Sequence, residues 1–244
     1  MRQILSRLGR RISGRPPASS EQQAYSRLAA RGYEPASIID VGGYHGNWTR
    51  SVRNVFPDAP VLIVEAQPSK AKALRKLCSQ LPNVTLENSV LAAKSGLTVT
   101  FYEMETGSSL MPEQSDVPRR EVALVSRTLD EIAEPLPGPI FLKIDVQGAE
   151  LEVLTGGLRT LGRCDLVQLE LAFLPYNAGA PTLLQMLKFM DDHGFVPLDI
   201  TNLTRPDHLN LVQADFLFCR RDSDLRPTFF RFLNSDGAAQ PSTP

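Results

Sequence analysis

Three places in this sequence bring together residue types that chemistry uses. The first is FLKIDVQGAE, residues 141–150, where an apolar run (Phe141, Leu142, Ile144) breaks into Asp145, Gln147 and Glu150. A carboxylate that ends a buried strand is costly unless a partner or ligand uses it, which makes Asp145 a candidate functional group. The second is the loop Asp40-Val41-Gly42-Gly43-Tyr44-His45-Gly46. Its glycines let backbone approach a ligand closely, and a following helix would offer N–H groups to an anion. The third is Glu65, at the end of PVLIVEA (60–66). An acid there can accept hydrogen bonds from both hydroxyls of a ribose. Glu170, in DLVQLELA (165–172), and His45 are further groups that could take a proton from a reacting hydroxyl.

Several neighbours have simpler roles available. Gln147 and Glu150 open a helical stretch, where the helix dipole favours an acid without any ligand. Lys143 flanks a buried strand and is expected to pair with Glu150 or Glu170. His193 reads as a helix-end residue and His208 as a loop residue. No ligand-spaced cluster suggests a metal. The 42–46 loop fails the dinucleotide pattern G-x-G-x-x-G, since Tyr44 and Asn47 stand at its second and third glycine positions, and GxxxxGK[ST] occurs nowhere.

The elements that must hold these residues follow from periodicity. Ser20 to Gln23 fits a capping box for a helix over 20–31, ended by Gly32. Buried strands are expected at 37–41, 60–66, 83–88, 139–145 and 165–172, with an alternating strand at 97–103. Helical patterns fall at 47–55, 69–78, 149–154 and 182–193. The closing strands, 194–200 and 214–220, have no helix between them and should form an antiparallel hairpin at one edge. Continuous apolar strands alternating with helices indicate a mostly parallel, doubly wound α/β sheet. Such sheets bind ligands beyond the carboxyl ends of their strands, where the candidate residues lie. Residues 106–120, rich in Gly, Ser and Pro, read as a mobile loop over that site.

The chain has 244 residues, a formal net charge of −1 and 42% hydrophobic residues, as expected of a globular protein without a general pull toward nucleic acid. Its three cysteines (Cys78, Cys164, Cys219) are scattered, which suits reduced thiols and a cytoplasmic setting. Residues 1–15 hold five arginines and no acid, and could form a basic helix touching a membrane surface. The expected organisation is a basic extension over 1–19, one domain over 20–222 and a tail over 223–244 that is disordered in part.

FLKIDVQGAELEVLTGG closely resembles the signature of the FkbM family of methyltransferases, K-I-D-V-Q-G-x-E-x-x-V/L-x-G. IIDVGGYHGNW, VEAQP, SSL (108–110), RTLDEI (127–132), QLELAFLPY, HGFVPLDI and QADFLFCR agree in order, over roughly residues 36–220. The resemblance implies a Rossmann-like class I methyltransferase fold and S-adenosylmethionine as methyl donor. It implies a cofactor site of Asp40, Gly42, Gly43, Tyr44, Gly46, Glu65, Ala66 and Asp145, with Asp145, Glu170 or His45 in catalysis. The family usually has asparagine where this chain has Tyr44, so contacts there are expected to differ. The expected acceptor is a hydroxyl of a sugar, glycan or polyketide-type small molecule, not a nucleic acid. Two other readings of the sheet are a NAD-linked sugar-modifying oxidoreductase, which should carry the full glycine pattern, and a non-catalytic binding module.

Overall fold

The computed structural model describes residues 19–226. The basic segment 1–15 and the tail expected from Ser235 lie outside the described residues. The described chain runs α1 (Ser20–Ala29), β1 (Ser37–Val41), α2 (Asn47–Arg53), β2 (Val61–Val64), α3 (Pro68–Gln80), β3 (Val84–Glu87), β4 (Val90–Leu91), β5 (Thr98–Glu103), β6 (Arg120–Arg127), α4 (Leu129–Ile132), β7 (Ile140–Ile144), α5 (Glu150–Thr155), α6 (Leu158–Leu161), β8 (Cys164–Ala172), α7 (Leu183–Asp192), β9 (Phe195–Thr204) and β10 (Gln213–Arg220).

Seven strands form one sheet in the order β3-β2-β1-β7-β8-β10-β9. β10 runs antiparallel to both its neighbours, while β3, β2, β1, β7 and β8 are parallel. This is the Rossmann-like class I methyltransferase arrangement, with the C-terminal hairpin placed as its strand patterns imply. β1, β2 and β7 are buried at every residue because both faces are covered. Ile39, Val41, Leu142 and Ile144 face one core with Met186 and Met190, and Ile38, Ile63 and Phe141 face another with Tyr25 and Leu74.

Three details depart from the sequence reading. The cap of α1 is Ser19, whose side chain accepts from the Gln22 N–H at 3.2 Å, while the Ser20 hydroxyl donates to the Thr201 carbonyl instead. The strand at 98–103 does not join the main sheet. It pairs antiparallel with β6, which pairs with β4 to give a separate three-stranded sheet. β6 itself was not among the expected strands, although Val122 and Leu124 alternate with more exposed neighbours as an exposed strand should.

Candidate functional site

The carboxyl ends of β1, β2, β7 and β8 open into a cavity of about 710 Å³, within the range of roughly 300–1,000 Å³ usual for small-molecule sites. Gly42, Tyr44, Glu65, Ala66, Asp145, Gln147 and Glu170 all line it. Residues 104–110, Glu113, Val117 and Pro118 contribute a further wall. This covering segment is tied down. The Ser109 hydroxyl donates to the Val146 carbonyl at 2.9 Å, Gln114 N–H to the Tyr176 carbonyl at 2.7 Å, and the Asn177 amide to the Met111 carbonyl at 2.8 Å.

The floor is set by how closely β1 and β7 approach. Gly42 has φ +80, and a Cβ there would lie 1.8 Å from the Asp145 carbonyl oxygen. Glycine is therefore required twice over, by conformation and by space. Gly43 and Gly46 face the fold instead, because added Cβ atoms would meet Ile63 at 2.2 Å and Leu77 at 2.1 Å. Beneath this junction Lys143 is buried. Its ammonium donates to Asp40 Oδ1 at 3.1 Å and to the carbonyls of Val41 and Gly42 at 3.3 and 3.0 Å, and lies 3.6 Å from Asp145 Oδ2. Burial by itself would lower the lysine pKa, but Asp40 and then Asp145 outweigh it, and the pKa is raised. The partner expected at Glu150 or Glu170 is thus replaced by Asp40, which the register sets directly opposite Lys143.

On the β2 side, Glu65 is 4% exposed. One carboxylate oxygen accepts from Tyr44 N–H and the other from Gln67 N–H, each at 2.7 Å. Burial raises its pKa, and these two N–H groups partly counter the rise. Above it the Tyr44 hydroxyl and the Lys70 ammonium both donate to Glu105, each at 2.8 Å, with Lys70 4.4 Å from the centre of the Tyr44 ring.

On the β8 side the polar groups form a closed chain. Gln147 (φ +55) donates to Asp145 Oδ1 at 2.9 Å and also to Glu170, whose other oxygen accepts from Gln213. The Tyr176 hydroxyl reaches Gln213 at 2.7 Å and Gln147 at 3.3 Å. Burial, then the charges of Asp145 and Asp215, push the Glu170 pKa well up. Glu150 lies outside this cavity. Its carboxylate accepts from Val146 and Gly148 N–H at 3.2 and 3.1 Å and so closes the turn between β7 and α5.

Four predicted site residues do not line the cavity. Asp40 is fully buried and also accepts from the Thr49 hydroxyl at 2.7 Å; Gly43 and Gly46 pack into the fold; His45 is exposed and meets the Tyr44 ring edge-on. Sequence reasoning assigned no role to Gln67, Ser89, Glu113, Tyr176 or Gln213. Tyr176 and Gln213 sit inside segments that carry the family resemblance, but nothing in their spacing brings them together.

A family model for the methyltransferase FkbM domain matches residues 40–197. The chain belongs to this family. The FkbM match runs from the Asp40 loop through the signature segment and β8 into β9. No curated protein sequence matches the chain. Among solved structures the chain is similar to precorrin-6y C5,15-methyltransferase from Geobacter metallireducens (15% identity, 82% of this chain and 86% of that one, TM-score 0.46). It is also similar to magnesium protoporphyrin IX methyltransferase from Synechocystis with bound SAM (12%, 82% and 80%, 0.46) and to the 23S rRNA methyltransferase ErmE (14%, 84% and 70%, 0.42).

The methyl donor of FkbM enzymes is S-adenosylmethionine, and the residues present fit it. Glu65 offers two carboxylate oxygens within the cavity, and the Ser89 hydroxyl, buried in the wall, has no hydrogen-bond partner among the described residues. An unsatisfied buried hydroxyl beside an apolar wall of Val90, Leu91 and Phe101 is what a flat heteroaromatic base could satisfy.

Proposed function

We propose that this FkbM methyltransferase is an O-methyltransferase that acts on a hydroxyl of a sugar, glycan or polyketide-type small molecule. Asp145 is the observation that carries this reading. It is a partly exposed carboxylate at the junction of the Glu65 and Glu170 sides of one cavity. A hydroxyl has to lose its proton at or after transfer, and a carboxylate in hydrogen-bond reach can take it.

S-adenosylmethionine, when bound, supplies an already activated methyl group, so the protein's task is mainly alignment and exclusion of water. Glu65 would hold the ribose hydroxyls, Ser89 the base, and the Gly42–Tyr44 backbone the amino-acid end. Asp145, kept in place by Gln147 and Lys143, would orient the acceptor hydroxyl and receive its proton. Glu170, whose pKa burial and neighbouring charge raise, would donate a hydrogen bond to the acceptor rather than act as base. The covering segment would shield the reaction from solvent. His45, outside the cavity lining, is left without a role in this scheme.

Small-molecule acceptors are preferred to nucleic acid because the chain carries a net charge of −1. No helix among the described residues is long and apolar enough to cross a membrane. Incubation with S-adenosylmethionine labelled with carbon-13 in the methyl group, followed by NMR and mass spectrometry of the product, tests the proposal. An O-methyl signal is expected, and a methyl on nitrogen, carbon or sulfur would refute it.

A further inference from the structure

Acidic side chains line the cavity, and the lysines beside them are each already bound to a carboxylate. Glu65, Glu105, Glu113, Asp145 and Glu170 line it, and no Lys, Arg or His does among the described residues. The nearby cations are already engaged. Lys143 lies beneath the floor, shared among Asp40, two backbone carbonyls and Asp145 at 3.6 Å, and Lys70 is held by Glu105. Arg119, in the covering segment, donates to the carbonyls of Glu113 and Ser115. Glu113 forms no ion pair among the described residues, and its carboxylate sits beside Gly107, where an added Cβ would be 2.8 Å away.

From this lining we infer that the acceptor is an uncharged polyol, and that a phosphate, sulfate or carboxylate near its reacting hydroxyl excludes it. The inference rests on the methyltransferase reading of the cavity and names the substrate class it selects. An anion entering the acceptor half would lose its water and meet Glu113, which has no cation among the described residues, and Asp145, whose neighbour Lys143 is shared with Asp40, a repulsive arrangement of the kind that binding sites use to reject wrong partners. The wall contains its own example. Glu170, built into it and held by two carboxamides, has its pKa raised by burial and by the charge of Asp145. An acceptor carboxylate would meet the same surroundings. A neutral polyol meets groups that suit it: the amides of Gln147 and Gln213 and the Tyr176 hydroxyl, all of which exchange hydrogen bonds with hydroxyls at no cost in charge.

The test works with the acceptor still unidentified. A metabolite extract of cells that carry the gene is divided on anion and cation exchangers. Each fraction is then offered to the full-length protein with tritium-labelled S-adenosylmethionine. Label is expected in the fraction that passes both exchangers, with a preference on the order of a hundredfold over the anion-exchanger eluate, the scale of like-charge juxtaposition at an interface. Label confined to either eluate, or found in no fraction, overturns the inference. Titration calorimetry with S-adenosylmethionine alone separates the two levels. Donor binding with label only in the anionic eluate leaves the methyltransferase reading standing and removes this one. Absence of donor binding removes both.

Discussion

Lys143→Met tests the junction on which the whole site stands. In the folded protein the lysine side chain is 7% exposed and its partner Asp40 is 0% exposed. Methionine is similar in length and apolar, so the cavity left behind is small and the charge is what changes. Asp40 would keep only the Thr49 hydroxyl, and the carbonyls of Val41 and Gly42 would each lose a donor. Removing one partner of a buried ion pair costs about 3–5 kcal/mol. For a chain of this size that corresponds to a melting temperature lower by roughly 6–20 °C. The double variant Asp40→Leu with Lys143→Met removes both charges, and apolar replacement of a buried pair is often neutral or stabilising. It should regain most of the loss in a thermal melt by circular dichroism. S-adenosylmethionine affinity should stay reduced in the double variant, because the Gly42 carbonyl remains unsupported. A single variant that melts within a few degrees of the wild type would refute the reasoning. So would a double variant no more stable than the single.

Other expectations follow from the same geometry. Asp145→Asn should lower turnover by about 10²–10⁴-fold, the usual share of a positioned proton acceptor, with little change in melting, because Lys143 keeps Asp40. A near-normal rate with a lowered melt would reverse that assignment. Glu65→Ala should weaken S-adenosylmethionine binding by roughly 10–100-fold in calorimetry, since a hydrogen bond to a charged group is worth about 1.5–3 kcal/mol; unchanged affinity would remove Glu65 from the site. Gly42→Ala should reduce both stability and donor binding, because its Cβ would strike the Asp145 carbonyl, and normal melting with normal affinity would contradict the close approach of β1 and β7. Burial pushes the Glu150 carboxyl up to about 7, whereas the unfolded value is about 4.3. The folded state therefore favours the proton, and this group's destabilising effect grows as pH rises from about 4.3 to about 7. Glu150→Gln should gain stability relative to the wild type between pH 5 and pH 8, and a constant difference across that range would count against the shift.

The parts of this protein written in local pattern were legible in the sequence. β1, β2 and β7 are short apolar runs, and the residues just past them fall at the cavity as the rule for parallel sheets requires. α7 falls inside the helical pattern expected at 182–193, and in the structure Thr182 and Gln185 form its capping box. What local pattern does not carry is which face of a strand end a side chain takes. Asp40 and Asp145 both stand next to glycine-rich turns, yet register places Asp40 opposite Lys143, and it is consumed there. The Glu170–Gln213–Tyr176 contacts depend on β10 pairing antiparallel with β8 across more than forty residues of chain, which no short-range signal encodes. β6 was missed because its alternation is weak, with most residues at least partly exposed.

The wall formed by residues 104–119 leaves the fold at the end of β5 and returns at the start of β6, and these two strands pair with each other, Glu103 opposite Arg120. The excursion is therefore a hairpin insertion closed by its own ladder, and none of the seven strands of the main sheet depends on its sequence for register. Loops anchored in this way tolerate replacement. The hairpin is separable from the sheet as a matter of chain architecture, but not from the donor side of the cavity, because its Glu105 accepts from Tyr44 and Lys70. A chimera that carries another family member's residues at 104–119 but retains Glu105 should therefore keep the thermal melt of the sheet and its affinity for S-adenosylmethionine, whereas one that also loses Glu105 should bind the donor more weakly.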